Sequence, residues 1–254
     1  MTSYQLHDHA NSFGAVAAEY DAARPSYPAE LFDRLEELAG FPLKGAEVLD
    51  VGAGTGIATR LLAARGARVT AVEPSPGMAA RLRAVSPELP LVKGTGDELP
   101  FHDATADLIT YAQAFHWTDP GRSIPEALRV LRPGGSLAVW WNVRDPEVPW
   151  VRAQGERLKA GTPESYHGYG AVKEVTVEFA PYGLPSGHAV LRWDRRITVD
   201  AMLTDLRSRS YVAVLPERRR EELLAAERDA LLAEFPDGEL VDPYVLDLTV
   251  LTKE

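Results

Sequence analysis

The chain has 254 residues, 45% of them hydrophobic, which suits one core or a core with an added lid. Its net charge of −10 and isoelectric point near 5.2 argue against general binding to nucleic acid or to acidic membranes. The sequence contains no cysteine, which excludes disulfides, thiolate metal sites and a cysteine nucleophile. We also expect neither a signal peptide nor a membrane span, and therefore a cytoplasmic protein.

The first predicted elements are two helices. Apolar residues recur on one face of residues 11–20, and the run Pro25-Ser26-Tyr27-Pro28 ends that pattern. Pro28 suits the first position of a second helix over 29–39, because its missing N–H is not needed there. The apolar stripe of this helix is formed by Leu31, Phe32, Leu35 and Leu38.

Strand and helix patterns then alternate along the chain. Strands are predicted at 47–51, 68–73, 91–93, 107–112 and 136–142, with helices at 55–65, at 76–84 and before Leu131. Pro125 predicts that the last of these helices starts near Ser123 or is kinked. The run Arg-Pro-Gly-Gly at 132–135 predicts that regular structure stops there before the strand at 136–142. The alternation predicts a parallel sheet with helices on both faces, whose ligands bind at the carboxyl ends of the strands.

The second half of the sequence is less regular. It predicts a linker and helix at 146–160, a loop or lid at 161–187, a strand at 188–199, helices at 200–209 and 216–235, and a last strand at 244–251.

The segment 48–56, Val-Leu-Asp-Val-Gly-Ala-Gly-Thr-Gly, reads as a buried strand, a glycine loop and the start of a helix. Glycines let the backbone come close to a ligand, and the first N–H groups of the helix face it. Glu73 ends the next strand, where a carboxylate can accept two hydrogen bonds from a ribose diol. The combination predicts a nucleoside site. It matches neither the dinucleotide pattern G-x-G-x-x-G nor a phosphate-binding loop with its lysine.

The run D-V-G-A-G-T-G at 50–56, followed by V-E-P-S at 72–75, resembles the class I S-adenosylmethionine-dependent methyltransferases. Segments 20–28, 113–117, 131–135 and 140–142 resemble a small-molecule branch that includes enzymes of ubiquinone biosynthesis and trans-aconitate methyltransferases. The resemblance covers residues 11–145 well and the rest weakly. It implies an α/β, Rossmann-like, seven-stranded and mostly parallel sheet with helices on both faces, N-terminal helices and inserted lid helices.

The same resemblance implies one domain over residues 1–254. Its parts would be cap helices at 1–40, a cofactor-binding core at 41–145, and lid segments with the final strands and the acceptor side at 146–254.

The resemblance also implies S-adenosyl-L-methionine as cofactor and S-adenosyl-L-homocysteine as product. The glycine loop would lie beside the methionine part, Glu73 would hold the ribose and Met78 would lie near the adenine. Thr95 replaces the family's adenine-contacting Asp, with Asp97 two residues later, so Thr95 or the backbone at Gly96 could make that contact. The implied cofactor-binding residues are Tyr20, Arg24, Asp50, Gly52, Ala53, Gly54, Gly56, Glu73, Pro74, Met78, Thr95, Gly96, Asp97, Ala112 and Gln113.

His116 is the candidate catalytic residue, since it follows the fourth strand and an imidazole can accept a proton at neutral pH. It could equally be a packing residue. The candidate acceptor pocket comprises Trp117, Tyr27, Tyr169 and Arg209. Because His and carboxylate spacings do not match metal ligands, we expect no metal.

The leading functional hypothesis is methyl transfer to oxygen or nitrogen of a small molecule. A carboxylate acceptor would need a cationic pocket, for which Arg24, Arg144 and Arg209 are candidates. Methylation at carbon, or cofactor binding without methyl transfer, remain alternatives. Nucleic-acid and membrane partners are not expected, and the protein is expected to be a monomer or a homodimer.

Overall fold

The computed structural model describes residues 25–162 and 179–254. Its first element is helix α1 (Ala29–Ala39), which has the bounds that the sequence predicts. Leu31, Phe32 and Leu35 bury its apolar stripe, and Gly40, with φ of 79°, ends it in a left-handed conformation. The helix predicted at residues 11–20 lies outside the described residues.

Seven strands and seven further helices follow in the described part of the chain. The strands are β1 (Glu47–Val51), β2 (Arg68–Val72), β3 (Leu91–Val92), β4 (Ala106–Ala112), β5 (Leu131–Arg144), β6 (Ser186–Thr198) and β7 (Glu239–Thr252). The helices are α2 (Ile57–Ala64), α3 (Pro76–Val85), α4 (Pro120–Val130), α5 (Pro149–Gly161), α6 (Val199–Arg207), α7 (Ser210–Ala213) and α8 (Glu217–Glu234). Short 3₁₀ helices are formed by Phe115–Trp117 and Ala180–Tyr182.

The strands form one sheet in the order β3-β2-β1-β4-β5-β7-β6. Pairing is parallel from β3 through β5, and β7 is antiparallel to both β5 and β6. The expected seven-stranded, mostly parallel α/β sheet is therefore confirmed. The order reverses at β1 and β4, so the loops after these strands face a crevice at the carboxyl edge of the sheet.

Each face of the sheet is covered by helices. One core contains β4 residues Ile109 and Tyr111 with Ile124 and Ala127 of α4. The core on the opposite face joins Leu108 to apolar residues of α1 and α2, including Leu31, Leu35 and Leu62. Side chains along β5 point alternately to the two faces of the sheet, so Trp140 lies in the second core and Trp141 in the first.

The main differences from the predicted bounds in the first half concern α2, α4 and β5. Helix α2 begins at Ile57 instead of residue 55, because Gly56 precedes it with φ of 85°. Helix α4 begins at Pro120, before the expected start, and the Asp119 carboxylate caps it by accepting from Gly121 N at 3.0 Å. The stop signal at residues 132–135 is a bulge inside β5, because pairing moves from Leu131 opposite Ala106 to Ser136 opposite Leu108.

The last two strands form a long antiparallel hairpin, with Ser186 opposite Leu251 and Thr198 opposite Glu239. Helices α6, α7 and α8 are inserted between them, as the resemblance implies. Strand β7 begins five residues before the predicted residue 244, since its first part pairs with β6 beyond the end of β5.

A third core joins the inserted helices to α5 through Leu158, Met202, Leu206 and Leu224. Within the described ranges, no helix combines the length and apolar character that a membrane span requires. The division of one domain into cap, cofactor-binding core and lid stays a prediction.

Candidate functional site

The loop after β1 is shaped by three glycines with positive φ: 69° at Gly52, 58° at Gly54 and 85° at Gly56. Gly52 packs closely against the segment after β4, because a Cβ built on it would lie 2.5 Å from Ala114 Cβ. A Cβ on Gly54 would meet no atom within 4 Å. The loop therefore packs tightly at its first glycine and borders open space at its second.

Glu73, the residue after β2, is joined to this loop by hydrogen bonds. Its Oε2 accepts from Gly54 N and its Oε1 accepts from Ser75 N, both at 2.8 Å. Burial raises the pKa of this carboxyl, and the two backbone N–H groups act in the opposite direction. Each oxygen keeps further lone-pair capacity, so the carboxylate that orders the loop can also accept from a ligand.

Asp50, at the end of β1, lies beneath the loop and is fully buried. Its Oδ2 accepts from Thr59 Oγ1 of α2 at 2.6 Å, and its Oδ1 accepts from Thr110 Oγ1 of β4 at 2.9 Å. Burial raises its pKa to about 6, against the opposing effect of the two threonine hydroxyls. Asp50 therefore connects the strand, the helix and the neighbouring strand that surround the loop.

The segment after β3 packs against the segment after β4. Gly96 is buried, and a Cβ on it would lie 2.6 Å from Tyr111 Oη. Asp97 Oδ1 accepts from Asp119 N at 2.9 Å, while Thr95 pairs with Glu98 in an isolated bridge. The structure thus places the predicted residues 95–97 beside the end of β4.

Gln113, directly after Ala112 at the end of β4, has a φ of 56°, which is rare for a residue with a side chain. Its N–H donates to Trp140 O at 2.9 Å, and its Nε2 donates to Tyr27 Oη at 3.3 Å. Tyr27 packs edge-on against Trp140, with ring centroids 5.9 Å apart. These contacts hold Gln113 against β5 and Tyr27 at the carboxyl edge of the sheet, where the chain leaves β4.

His116 lies on the 3₁₀ helix that follows and is exposed. Its ring centroid is 4.6 Å from that of half-buried Trp117. Phe115, between Ala114 and His116, is buried and packs edge-on against Tyr111 at 5.3 Å. The short helix is thus anchored by its apolar residue, and the His116 imidazole lies at the protein surface beside Trp117.

The remaining predicted residues fall into three groups. Ala53 donates to Val72 O at 3.2 Å and is part of the loop, while Pro74 and buried Met78 follow Glu73 at the start of α3. Arg209 lies in a separate network, where its Nη2 is 2.9 Å from Asp205 Oδ2. Tyr20, Arg24 and Tyr169 lie outside the described residues.

Several polar residues of this region have no local sequence signal. Thr59 and Thr110 bind Asp50, and the second lies sixty residues from it. Trp140 Nε1 and Asn142 Nδ2 are buried without a hydrogen-bond partner in the described part of the chain. Within the same ranges, no cluster of His, Asp and Glu could hold a metal ion.

The glycine loop, Glu73 and the segments after β3 and β4 meet at the carboxyl edge of the parallel strands. Asp50 and Glu73 are buried there, held by hydroxyl and backbone N–H donors. Such a site suits a nucleoside with a positively charged group, because buried carboxylates favour a cation nearby. Fold and site together define a nucleoside-binding protein of the α/β class.

Comparisons with known proteins identify the family. A methyltransferase-domain family model matches residues 49–139. An uncharacterized methyltransferase of Mycobacterium tuberculosis is 39% identical over 243 residues, 94% of each chain. A malonyl-[acyl-carrier protein] O-methyltransferase of Methylococcus capsulatus is 40% identical over 136 residues, 50% of this chain and 48% of the relative.

A solved structure from Anaeromyxobacter dehalogenans, assigned as a type II methyltransferase, is also similar. It is 28% identical with a TM-score of 0.69, and the match covers 91% of this chain and 97% of that one. The chain belongs to the class I S-adenosylmethionine-dependent methyltransferases. The family resemblance that the sequence predicts is confirmed.

Proposed function

We propose that the protein transfers the methyl group of S-adenosylmethionine to an oxygen or nitrogen atom of a small molecule. One observation carries the proposal: exposed His116 lies at the same edge of the sheet as the glycine loop and Glu73. The cofactor supplies an electrophilic methyl group on a positively charged sulfur. The protein must hold acceptor, methyl group and sulfur in line, since orientation is a large part of such catalysis.

The cofactor contacts follow from the shape of the crevice. Open space at Gly54 receives the methionine part beside Gly52, Ala53 and Gly56, and Glu73 accepts hydrogen bonds from the ribose diol. The adenine lies between two walls, formed by Pro74 with Met78 and by Thr95, Gly96 and Asp97. Ala112 and Gln113 border the reacting centre, and Tyr20 and Arg24 complete the proposed set.

Asp50 is proposed as a positioning residue. Both of its carboxylate oxygens accept from threonine hydroxyls, and the side chain is fully buried. Its influence on the cofactor therefore passes through the glycine loop and through its negative charge. That charge is favourable beside a sulfonium because few polar groups screen it in the protein interior.

His116 is proposed as the general base that accepts the proton of an acceptor hydroxyl or amine. Its ring is exposed and is packed against Trp117, which limits its orientations. A positioned base raises the rate of proton removal by about 10²- to 10⁴-fold. Trp117, Tyr27, Tyr169 and Arg209 are proposed to surround the acceptor.

Two facts support a small acceptor that is methylated at oxygen or nitrogen. The net charge of −10 opposes binding to nucleic acid, and one relative is named an O-methyltransferase. We propose in addition a cytoplasmic location and a monomeric or homodimeric state.

The test uses S-adenosylmethionine that is labelled on the methyl group, incubated with the protein and a metabolite extract and then separated by mass. We expect label in one small molecule, and less label with Glu73→Ala, which weakens cofactor binding. A parallel titration with S-adenosylhomocysteine verifies that each protein preparation binds the cofactor product.

Label in RNA or protein would contradict a small-molecule acceptor, and label on carbon would contradict the proposed atom. Intact binding of S-adenosylhomocysteine with no labelled product from extracts of several sources would contradict methyl transfer itself.

A further inference from the structure

The sheet has two edge strands of very different length. Strand β3 has 2 residues, whereas β6 has 13 residues and lies at the other end of the strand order, beside β7 alone. An edge strand exposes unpaired N–H and C=O groups, and a very short edge is one way in which proteins limit pairing with another chain. The β3 edge is protected in this way, and the β6 edge is a long template for a further strand.

The backbone groups at the β6 edge follow from the hydrogen bonds at both ends of the hairpin. Thr252 N donates to Pro185 O, and Val199 N donates to Gly238 O, both at 2.9 Å. In this register the odd-numbered residues of β6 bond to β7, and the N–H and C=O groups of the even-numbered residues point away from it. In the ranges that the structure describes, no other backbone group bonds to the even-numbered residues 188–196.

The side chains of these residues are also open to solvent. All even-numbered residues of β6 are exposed, namely Ser186, His188, Val190, Arg192, Asp194, Arg196 and Thr198. Val190 is 46% exposed, which is high for a large apolar side chain. Asp194 and Arg196 form no ion pair with any residue of the described part of the chain. The edge thus carries unpaired backbone groups together with one acidic and one basic side chain that lack a described partner.

Charge selects one antiparallel register between two copies of β6. Hydrogen bonds form only where even-numbered residues lie opposite each other. A register centred on Arg192, Asp194 or Arg195 places that residue opposite its own copy, and like charges directly opposite are destabilising. Centres nearer the start of β6 place neither Arg192 nor Arg196 opposite Asp194. A register centred on Trp193 places Arg192 opposite the second copy's Asp194, and symmetry repeats this pair.

The same register aligns aromatic rings. Trp193 lies opposite Tyr244 of β7 and stacks on it, with ring centroids 4.9 Å apart. The second copy's Trp193 would lie directly opposite Trp193 as a non-hydrogen-bonded pair, with Cα atoms roughly 4.5 Å apart. Four rings would then form one row across the two copies, and aromatic cross-strand pairs stabilise antiparallel sheets.

Arg192 can take part in this pairing although it has partners in its own chain. Its Nε is 3.3 Å from Asp145 and its Nη2 is 3.0 Å from Glu147, so Nη1 stays available for the second copy's Asp194. The second copy's Arg196 would lie opposite Val190, one row away, with its alkyl stem on the exposed valine. The group would then contain two guanidiniums and three carboxylates at an exposed surface, where salt screens the remaining charge.

We propose that two copies of the chain associate through antiparallel pairing of residues 188–198 of β6, centred on Trp193. The two seven-stranded sheets then form one continuous sheet. Three strands separate β6 from β1, which carries the glycine loop, so the pairing leaves both crevices open. The association is independent of the proposed methyl transfer and of the acceptor.

The first measurement is the molar mass of the full chain by size-exclusion chromatography with light scattering, over a range of protein concentrations. We expect a dimer that dissociates on dilution. Asp194→Arg places like charges opposite each other at two positions and should raise the dimer Kd about 10- to 100-fold. Asp229→Arg is the matched control, because it makes the same change on the exposed face of α8. The Tm of both variants verifies that they fold.

The second measurement identifies the register by cross-linking, which is clean because the chain contains no cysteine. In Trp193→Cys the two thiols face each other across the symmetry axis, at a Cα separation that a disulfide can span. Mild oxidation should therefore give a covalent dimer. His188→Cys is the control on the same exposed edge, because its two copies would lie roughly 34 Å apart.

Each measurement can overturn the proposal. A monomer at every concentration would exclude the association, and a dimer whose Kd is the same in Asp194→Arg as in Asp229→Arg would place the interface on another surface. Cross-linking of His188→Cys as fast as that of Trp193→Cys would exclude pairing centred on Trp193. Loss of methyl transfer in a protein that still dimerises would contradict the proposed function and leave the interface intact.

Discussion

The two sides of the crevice contrast in charge and in construction. On the cofactor side, the segments after β1 and β2 bury two carboxylates, Asp50 and Glu73, held by hydroxyl and backbone N–H donors. On the lid side, Arg144 at the end of β5 is buried between Asp205 of helix α6 and Asp242 of β7, and the partly exposed Arg209 and Arg195 bind the same two carboxylates. The carboxylates of the first side are held by neutral donors, and those of the second side are held by guanidiniums.

The largest expected effect is on the rate of methyl transfer, and it distinguishes the proposed acceptor side from the cofactor side. His116→Ala should lower the rate of methyl transfer by about 10²- to 10⁴-fold, the usual contribution of a general base. The Kd of S-adenosylhomocysteine should not change, because His116 is exposed and its proposed contact is with the acceptor. Steady-state kinetics from pH 5 to 9, with titration calorimetry, measure both quantities.

The matched control is His102→Ala, which alters an exposed residue before β4, near the opposite edge of the sheet. A full rate in His116→Ala across the whole pH range would show that the imidazole is structural.

A second pair of variants examines the glycine loop. Gly52→Ala combines a positive φ with a Cβ 2.5 Å from Ala114 Cβ, so we expect a loss of about 2–5 kcal/mol in the free energy of unfolding. A Cβ at Gly54 would meet no atom within 4 Å. In Gly54→Ala we therefore expect only backbone strain to lower the free energy of unfolding, by about 1–2 kcal/mol. Urea denaturation measures the difference between the two.

Gly54→Ala should nevertheless weaken binding of S-adenosylhomocysteine, because the new methyl group would occupy the open space beside the loop. Native affinity in that variant would mean that the cofactor lies elsewhere.

The raised pKa of the buried Asp50 carboxyl should make the free energy of unfolding depend on pH. Its pKa in the folded protein, about 6, lies above the ordinary 3.8. The folded protein therefore binds this proton more tightly than the unfolded chain, and this group lowers stability as the pH rises from about 4 to about 6. Relative to the native protein, Asp50→Asn should gain about 2 kcal/mol in unfolding free energy between pH 4 and pH 7.

The amide suits the site, since Thr59 can donate to Oδ1 while Thr110, 3.5 Å from Leu49 O, can accept from Nδ2. Denaturant titrations at four pH values measure the gain, with Asp229→Asn on the exposed face of α8 as control. A stability difference that is independent of pH would show that Asp50 keeps an ordinary pKa.

The last variant concerns Glu73 and the affinity for the cofactor product. Glu73→Gln replaces one oxygen by an amide that must face a backbone N–H of Gly54 or Ser75. We expect the affinity for S-adenosylhomocysteine to fall by about 1–3 kcal/mol, the range for buried hydrogen bonds left unmade. Calorimetry beside the exposed control Glu98→Gln measures the loss. Equal affinities of the two variants would remove Glu73 from the cofactor site.

Local sequence patterns predict the cofactor side of the molecule well. The bounds of α1 and β1 follow from apolar periodicity and from Pro28, and the glycine loop lies within 25 residues of Glu73. The prediction was wrong at the start of α2, where the left-handed Gly56 delays the helix. It was also wrong at the start of β7, since a strand's length depends on a distant partner.

The lid side could not be predicted in the same way. Asp205 lies 61 residues from Arg144, and Asp242 lies 98 residues from it. No spacing rule connects such residues, because only the antiparallel hairpin and the packing of α6 bring them together. Arg209 was predicted for the acceptor pocket, and the structure shows it bound to Asp205, which also binds Arg144.

The ends of the inserted helical segment are neighbours in space. Thr198 pairs with Glu239 across the hairpin, and Val199 N donates to Gly238 O at 2.9 Å. Because its ends are already joined by the sheet, residues 199–238 can lengthen, shorten or be exchanged with little cost in loop closure. The inserted helices can therefore change in length while the pairing of β6 with β7, and with it the sheet that carries the glycine loop and Glu73, stays the same.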